Sequence, residues 1–272
     1  MKKKAFAATL AALFTVNVQA DTVGLYLGGQ IWQSDASGTL GEKNALIDFN
    51  LKKEQQSNFF IAVVHPYPLL PNIRISSTTL DTRGKTTLAQ EFSFGDETFP
   101  IDDDVNASFD VSHIDYTLYY ELFDDGKFSF DLGLTARDFN GAVTVTGTTK
   151  TSNDTCNDPN PSPDSPCTNG GASIPIGKIK TNEIDPMLYV ATNISLPLTS
   201  LSVFGQGDFS LRNDHSLYDY QVGLSYGLVD SFAGNINLTL GYRAVKMEFK
   251  DLNNLYTNLE FTGAFVGVIA HF

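Results

Sequence analysis

Apolar and polar residues alternate along most of the chain. In KFSFDLGLTAR, Lys127 to Arg137, the residues Phe128, Phe130, Leu132, Leu134 and Ala136 share one face, and Ser129, Asp131, Gly133, Thr135 and Arg137 share the other. NINLTLGYR, Asn235 to Arg243, divides in the same way, as do the stretches around Tyr116, Phe209 and Val222. A period of two belongs to a β-strand with one apolar and one polar face. Turns bearing Pro or Gly lie at 65–72, 123–127, 197–199 and 230–235, and longer polar connections at 34–57, 81–108 and 147–180. The pattern predicts ten strands, at 22–33, 57–65, 72–81, 108–123, 127–147, 181–196, 200–212, 216–229, 234–251 and 256–272. Segments 43–52 and 88–95 either extend their neighbours above a membrane or add a pair, making twelve; without the hairpin 57–81 there would be eight.

The two faces then have to be matched to solvents. The apolar faces are rich in aromatics and the polar faces carry full charges. A water-soluble domain tolerates few unpaired inward charges and rarely shows so many outward aromatics. With apolar side chains turned to lipid and polar ones inward, both difficulties vanish, and only a closed sheet leaves no unpaired backbone group in hydrocarbon. The predicted class is all-β: an antiparallel transmembrane β-barrel with short periplasmic turns and long extracellular loops.

The ends of the chain fit that class. Residues 1–20, MKKKAFAATLAALFTVNVQA, have a basic start, a short apolar run and small residues at the close. That is the pattern of a secretory signal peptide, and the run falls short of the about 20 apolar residues that a spanning helix needs. Residues 21–272 are left as one barrel domain, expected in the outer membrane of a Gram-negative cell. At the other end, GAFVGVIAHF puts Ala264, Val266, Val268, Ala270 and Phe272 on one face of a final strand that must pair with the first. A terminal Phe after alternating apolar positions resembles the assembly signal that the barrel-insertion machinery reads.

A closer resemblance rests on YLGGQIW (Tyr26 to Trp32), with a Gly-Gly pair on the first strand, and on HPYPLLPNIRI (His65 to Ile75). With the terminal Phe, these resemble a proteobacterial family of outer-membrane β-barrels, known for the Gly-Gly pair and a His-Pro-x-Pro-x-x-Pro-Asn turn. The resemblance implies fold and location and no established activity.

Charge and chemistry narrow the reading further. Removal of Lys2, Lys3 and Lys4 with the leader leaves 15 of 18 basic residues against 31 acidic ones, a formal charge of −16. Such a chain is a poor partner for nucleic acid, and the expected partners are outer-membrane lipid and lipopolysaccharide around a monomer. The two cysteines, Cys156 and Cys167 in CNDPNPSPDSPC, are expected to form a disulfide in an exported protein, closing a small extracellular ring. No cofactor, metal site or catalytic residue is assigned. Asp102, Asp103 and Asp104, with Asp214 and His215 on another external loop, support the alternative of a rim-active hydrolase resembling omptin proteases or a lipid-modifying enzyme. The polar faces collect Arg74, Asp115, Glu121, Asp131, Arg137, Asp185, Asp208 and Arg243 in a predicted luminal charge cluster. The expected role is thus a structural or surface-interaction protein, or a narrow pore for small solutes.

Overall fold

The computed structural model describes residues 23–42, 45–67, 69–148, 174–181, 183–212, 215–231, 234–252 and 255–272. The expected leader and the expected Cys156–Cys167 bridge lie outside these residues. From the N-terminus run β1 (Gly24–Glu42), β2 (Ala45–Asp48), β3 (Glu54–Val64), β4 (Asn72–Thr79), β5 (Asp81–Thr87) and β6 (Phe92–Phe94). Next come β7 (Glu97–Phe99), β8 (Asp104–Asp110), β9 (His113–Asp124), β10 (Phe128–Phe139), β11 (Gly141–Thr146) and β12 (Ile176–Thr181). The last are β13 (Ile184–Ser195), β14 (Leu201–Ser210), β15 (His215–Ser231), β16 (Gly234–Leu252) and β17 (Leu255–His271).

Ten of these strands form a closed antiparallel ring in the order β1, β3, β4, β9, β10, β13, β14, β15, β16, β17, with β17 pairing back onto β1. Closure extends to the last residue: Leu25 and Phe272 exchange both backbone hydrogen bonds at 2.9 Å. The wall is inside out relative to a soluble protein. Leu134 is 60% exposed and Leu240 59%, while Thr135 and Arg137, beside Leu134 on the opposite face, are 2% and 0% exposed. An outward apolar band over an inward polar face is the arrangement of an outer-membrane-type barrel. The ten expected wall strands are therefore present, and neither eight nor twelve describes the ring.

Short turns close one end. In the 65–71 turn, the His65 ring bridges the loop: its Nδ1 accepts from the Tyr67 N–H at 3.2 Å and its Nε2 lies 3.1 Å from the Pro71 carbonyl. The Asn72 side chain accepts from the His65 N–H at 3.1 Å. This His thus serves the turn itself. Between β9 and β10, the Asp125 carboxylate accepts from the N–H groups of Phe128 (2.8 Å) and Lys127 (2.9 Å), which hold it below its ordinary pKa.

The opposite end departs from expectation. Residues 34–57 and 81–108, read as long polar loops, carry the upper half of β1 and strands β2 and β5 to β8. The strands expected at 108–123 and 127–147 break, the first after Asp110 and the second at Asn140. Above those breaks, β5, β8, β11 and β12 form a separate sheet in the order β12-β11-β8-β5, which copies the wall order β13-β10-β9-β4 below. Of the two uncertain segments, 43–52 supplies β2, which extends the wall beside β1, and 88–95 supplies β6, which pairs with β7 off the wall.

The reason for the second sheet is apolar. Side-chain parity carries through each break, so the face that is luminal below becomes Val105, Ala107 and Phe109 on β8, and Val143 and Val145 on β11. Together with Phe92, Phe94 and Phe99 of the β6–β7 hairpin and Phe49, these residues share one core with Leu40, Leu217, Val245, Met247, Leu259 and Phe261 from the upper wall. The mouth is pinched into a two-layer sandwich with an apolar centre. Two glycines allow the layers to approach: a Cβ on Gly84 would lie 2.3 Å from the Phe49 carbonyl, and one on Gly177 2.2 Å from that of Phe94.

Candidate functional site: a charge cluster across the lumen

Below the apolar cap, the inward faces of β9, β10, β15 and β16 bring four charges together. Arg137 donates from Nε to Asp115 Oδ1 (2.7 Å) and from Nη2 to Asp115 Oδ2 (2.8 Å), a two-pronged pair between neighbouring strands. The same Nη2 reaches across the lumen to Asp219 Oδ2 at 2.8 Å. Asp219 also accepts from Arg243, Nε at 2.9 Å and Nη2 at 2.7 Å. Arg243 Nη2 then lies 3.5 Å from Thr78 Oγ1 on the far wall, and its guanidinium sits 5.5 Å from the centre of the Trp32 ring. The chain of contacts thus runs from β10 through β15 and β16 to β4.

Two further groups brace it. Asp208 accepts from the Thr135 hydroxyl at 2.6 Å, and Thr135 and Thr117 share a hydrogen bond at 2.9 Å. Arg74 lies 3.5 Å over the ring of Phe60. Phe60 in turn occupies the place where a Cβ on Gly28 would stand, only 2.1 Å from the ring. This is the structural use of the first glycine of the Gly-Gly pair: a bare backbone beneath an aromatic ring that carries a luminal arginine.

Asn58, Arg74, Asp115, Asp208, Asp219 and Arg243 line a polar cavity of about 20 Å³. That is room for roughly one or two waters.

Of the predicted cluster, Asp115, Arg137 and Arg243 are in direct contact through Asp219, and Arg74 and Asp208 line the same cavity. Asp185 is buried in the same rung, opposite Arg137 on β13, and accepts from the Ser210 hydroxyl. Glu121 and Asp131 are not members. They face each other across β9 and β10, six residues from Asp115 and Arg137 respectively. That is about 20 Å of strand, beyond direct charge contact. Sequence reasoning passed over Asp219 although it shares the polar face of β15 with Gln221, because face assignment alone does not say which strands meet across a lumen. It also passed over His113, whose Nε2 lies 3.9 Å from Asp115 and 4.0 Å from Asp219.

Two of the rim acids bond within the cap. Asp104 accepts from the Thr87 hydroxyl at 2.6 Å, and Asp103 from Thr148, so both tie the cap's own strands and loops together. Asp214 and the side chain of His215 lie outside the described residues. Among the described residues no group of three or more potential metal ligands occurs.

No family model and no curated protein sequence matches the chain. Solved structures resemble it in architecture. The outer membrane protease OmpT of Escherichia coli is 10% identical, with a TM-score of 0.46 over 95% of this chain and 99% of that one. The transport unit of the autotransporter AIDA-I of Escherichia coli is 8% identical, with a TM-score of 0.37 over 98% and 96%. The toluene transporter TodX of Pseudomonas putida is 9% identical, with a TM-score of 0.30 over 96% and 91%. These are outer-membrane barrels, and at such identities and scores nothing further rests on the likeness.

Proposed function

We propose that the chain is a sealed outer-membrane barrel that displays a folded β-cap at the cell surface, a structural or surface-interaction protein rather than a channel. The observation that carries this reading is Arg137, with no exposed surface, bonded at once to Asp115 on its own side and Asp219 across the lumen. A cavity for one or two waters gives solutes no path past it, and the aromatic core of the cap lies above. The refolded protein in a planar bilayer is expected to give no discrete openings. Steps of conductance in the unaltered protein would instead make it a narrow pore.

Location and assembly belong to the same reading. Outer-membrane lipid and lipopolysaccharide surround the wall, the barrel-insertion machinery reads the end of the chain, and the barrel works as a monomer. Phe272 is half-exposed at the lipid face and joined to Leu25 by two backbone bonds, which deletion would remove along with about 2–3 kcal/mol of apolar burial. A thermodynamic loss of that size leaves some folded barrel. Loss of an assembly signal strands the chain in the periplasm. Deletion of Phe272 is therefore expected to abolish insertion in cells while leaving refolding into detergent largely intact. Normal insertion in cells would remove the signal from this reading.

A further inference from the structure

The outer face of the cap has chemistry that the sealed barrel does not use. Along β5, β8, β11 and β12, the residues opposite the apolar core point to solvent, and the strand register aligns them in rungs. One rung reads Arg83, Ser108, Thr144, Lys178. The next reads Lys85, Asn106, Thr146. Lys52 joins them from the segment that borders β5, where its N–H donates to the Arg83 carbonyl at 2.9 Å. Between Lys52, Arg83, Lys85, Asn106, Ser108, Thr144 and Thr146 runs a groove of about 220 Å³, some ten times the luminal cavity, and Lys178 stands beside it on the strand beyond Thr144.

Two observations mark this groove in a chain with a net charge of −13. First, four cations, Lys52, Arg83, Lys85 and Lys178, gather on this one outer face, and among the described residues none of them forms an ion pair with a carboxylate. Second, the hydroxyls and amide between the cations, on Ser108, Thr144, Thr146 and Asn106, line the groove, and among the described residues no side-chain partner of theirs is found. Arg83 and Lys178 stand three strand spacings apart, about 14 Å. A single phosphate or sulfate spans only a fraction of that, whereas an oligosaccharide with acidic groups spans it and also supplies hydroxyls for the middle of the rung.

The source of the ligand follows from what lies between groove and membrane. The wall face directly below carries Ile114 and Ile184 at its uppermost lipid-facing rung, with Asp138 between them. Above it comes a rung in which Asp81 and Asp110 stand opposite each other. Burial, then Glu54 and Asp110, raise the Asp81 pKa, as expected where acidic groups crowd together. This acidic belt repels leaflet phosphates approaching from below, and the groove is open to anions arriving from outside.

We infer that the outer face of the cap is a docking groove for a soluble acidic oligosaccharide, sulfated or phosphorylated, held by Arg83, Lys85 and Lys178 at its acid groups and by Ser108 and Thr144 at its hydroxyls. The inference rests on the extracellular placement of the cap in the sealed-barrel reading. Binding is measured on refolded mature protein in a maltoside detergent, so it is independent of conductance: failed binding by a protein silent in bilayers removes the groove and leaves the sealed barrel.

The probe is dextran sulfate, with neutral dextran beside it. Dextran sulfate is expected to bind, neutral dextran not to, and binding to disappear at about 1 M salt, where the Debye length is about 3 Å. The double change Arg83→Glu, Lys85→Glu, at two exposed sites, should weaken binding at least about tenfold, as loss of charge-assisted bonds does. Thr144→Val should cost about threefold, the scale of one neutral hydrogen bond. Lys127→Glu in the turn at the opposite end of the barrel should change nothing. Equal binding by the wild type and the double variant overturns the groove, as does tight binding of inorganic sulfate alone. If nanodiscs containing lipopolysaccharide block dextran sulfate binding while zwitterionic nanodiscs permit it, the occupant is the leaflet glycolipid and the soluble source is overturned.

Discussion

Arg137→Ala is expected to cost about 3–5 kcal/mol of barrel stability, the scale of breaking a buried ion pair from one side. The change leaves Asp115 without its two-pronged partner and Asp219 with Arg243 alone, beside a cavity of about 20 Å³ that offers little water to solvate the remainder. A urea titration of folding into lipid vesicles measures the loss. Arg137→Lys should lie between, because a lysine keeps the charge but lacks the planar fork that contacts both carboxylates. The double change Arg137→Ala, Asp115→Ala should recover part of the loss by removing one uncompensated charge. A loss under about 1 kcal/mol for Arg137→Ala, the range of exposed pairs, would mean that the cluster is solvated, and the seal would fail with it.

The second large effect is expected in the cap. Phe92 has no exposed surface and contacts the rings of Phe49, Phe94 and Phe99, with centres 5.9 to 6.1 Å away. Phe92→Ala should cost about 3–5 kcal/mol, the sum of lost burial and the cavity left behind. The cap has its own sheet, packed on the upper wall strands above the lipid band, so the loss should fall there first. Proteinase K should then cut between residues 81 and 110, while the wall strands stay protected and the protein keeps its folded mobility on unheated gels. If cap and wall unfold together, the sandwich is part of one cooperative barrel.

The sequence by itself determined the ring. Period-two alternation with aromatics on one face and charges on the other leaves a closed sheet in lipid as the stable arrangement, and the turns between alternating stretches set its size at ten strands, with eight and twelve as the alternatives. It also determined which residues point inward: Arg137, Asp115 and Arg243 follow from parity alone, since neighbours on a strand always face opposite ways. What only the tertiary structure decided is distance across the lumen. Asp219 sits on the same polar face in the sequence as Gln221 and Ser225; pairing of β15 with β16 sets it beside Arg243, and only the curvature of the ring puts it within reach of Arg137. The same holds for Glu121 and Asp131, which have the right parity at the wrong height.

The cap was hidden for a related reason. In EFSFGDETFP, Phe92, Phe94 and Phe99 line one face of a hairpin that turns at Gly95, whose φ of +63° suits a glycine, but the acidic residues around it read as a solvated loop. Strands of three residues are stable only when something covers them. What covers these is a core assembled from upper wall strands far away in sequence, and hydrophobic burial of that kind is non-local. Local pattern sets which way a side chain faces; the closed ring sets what it meets.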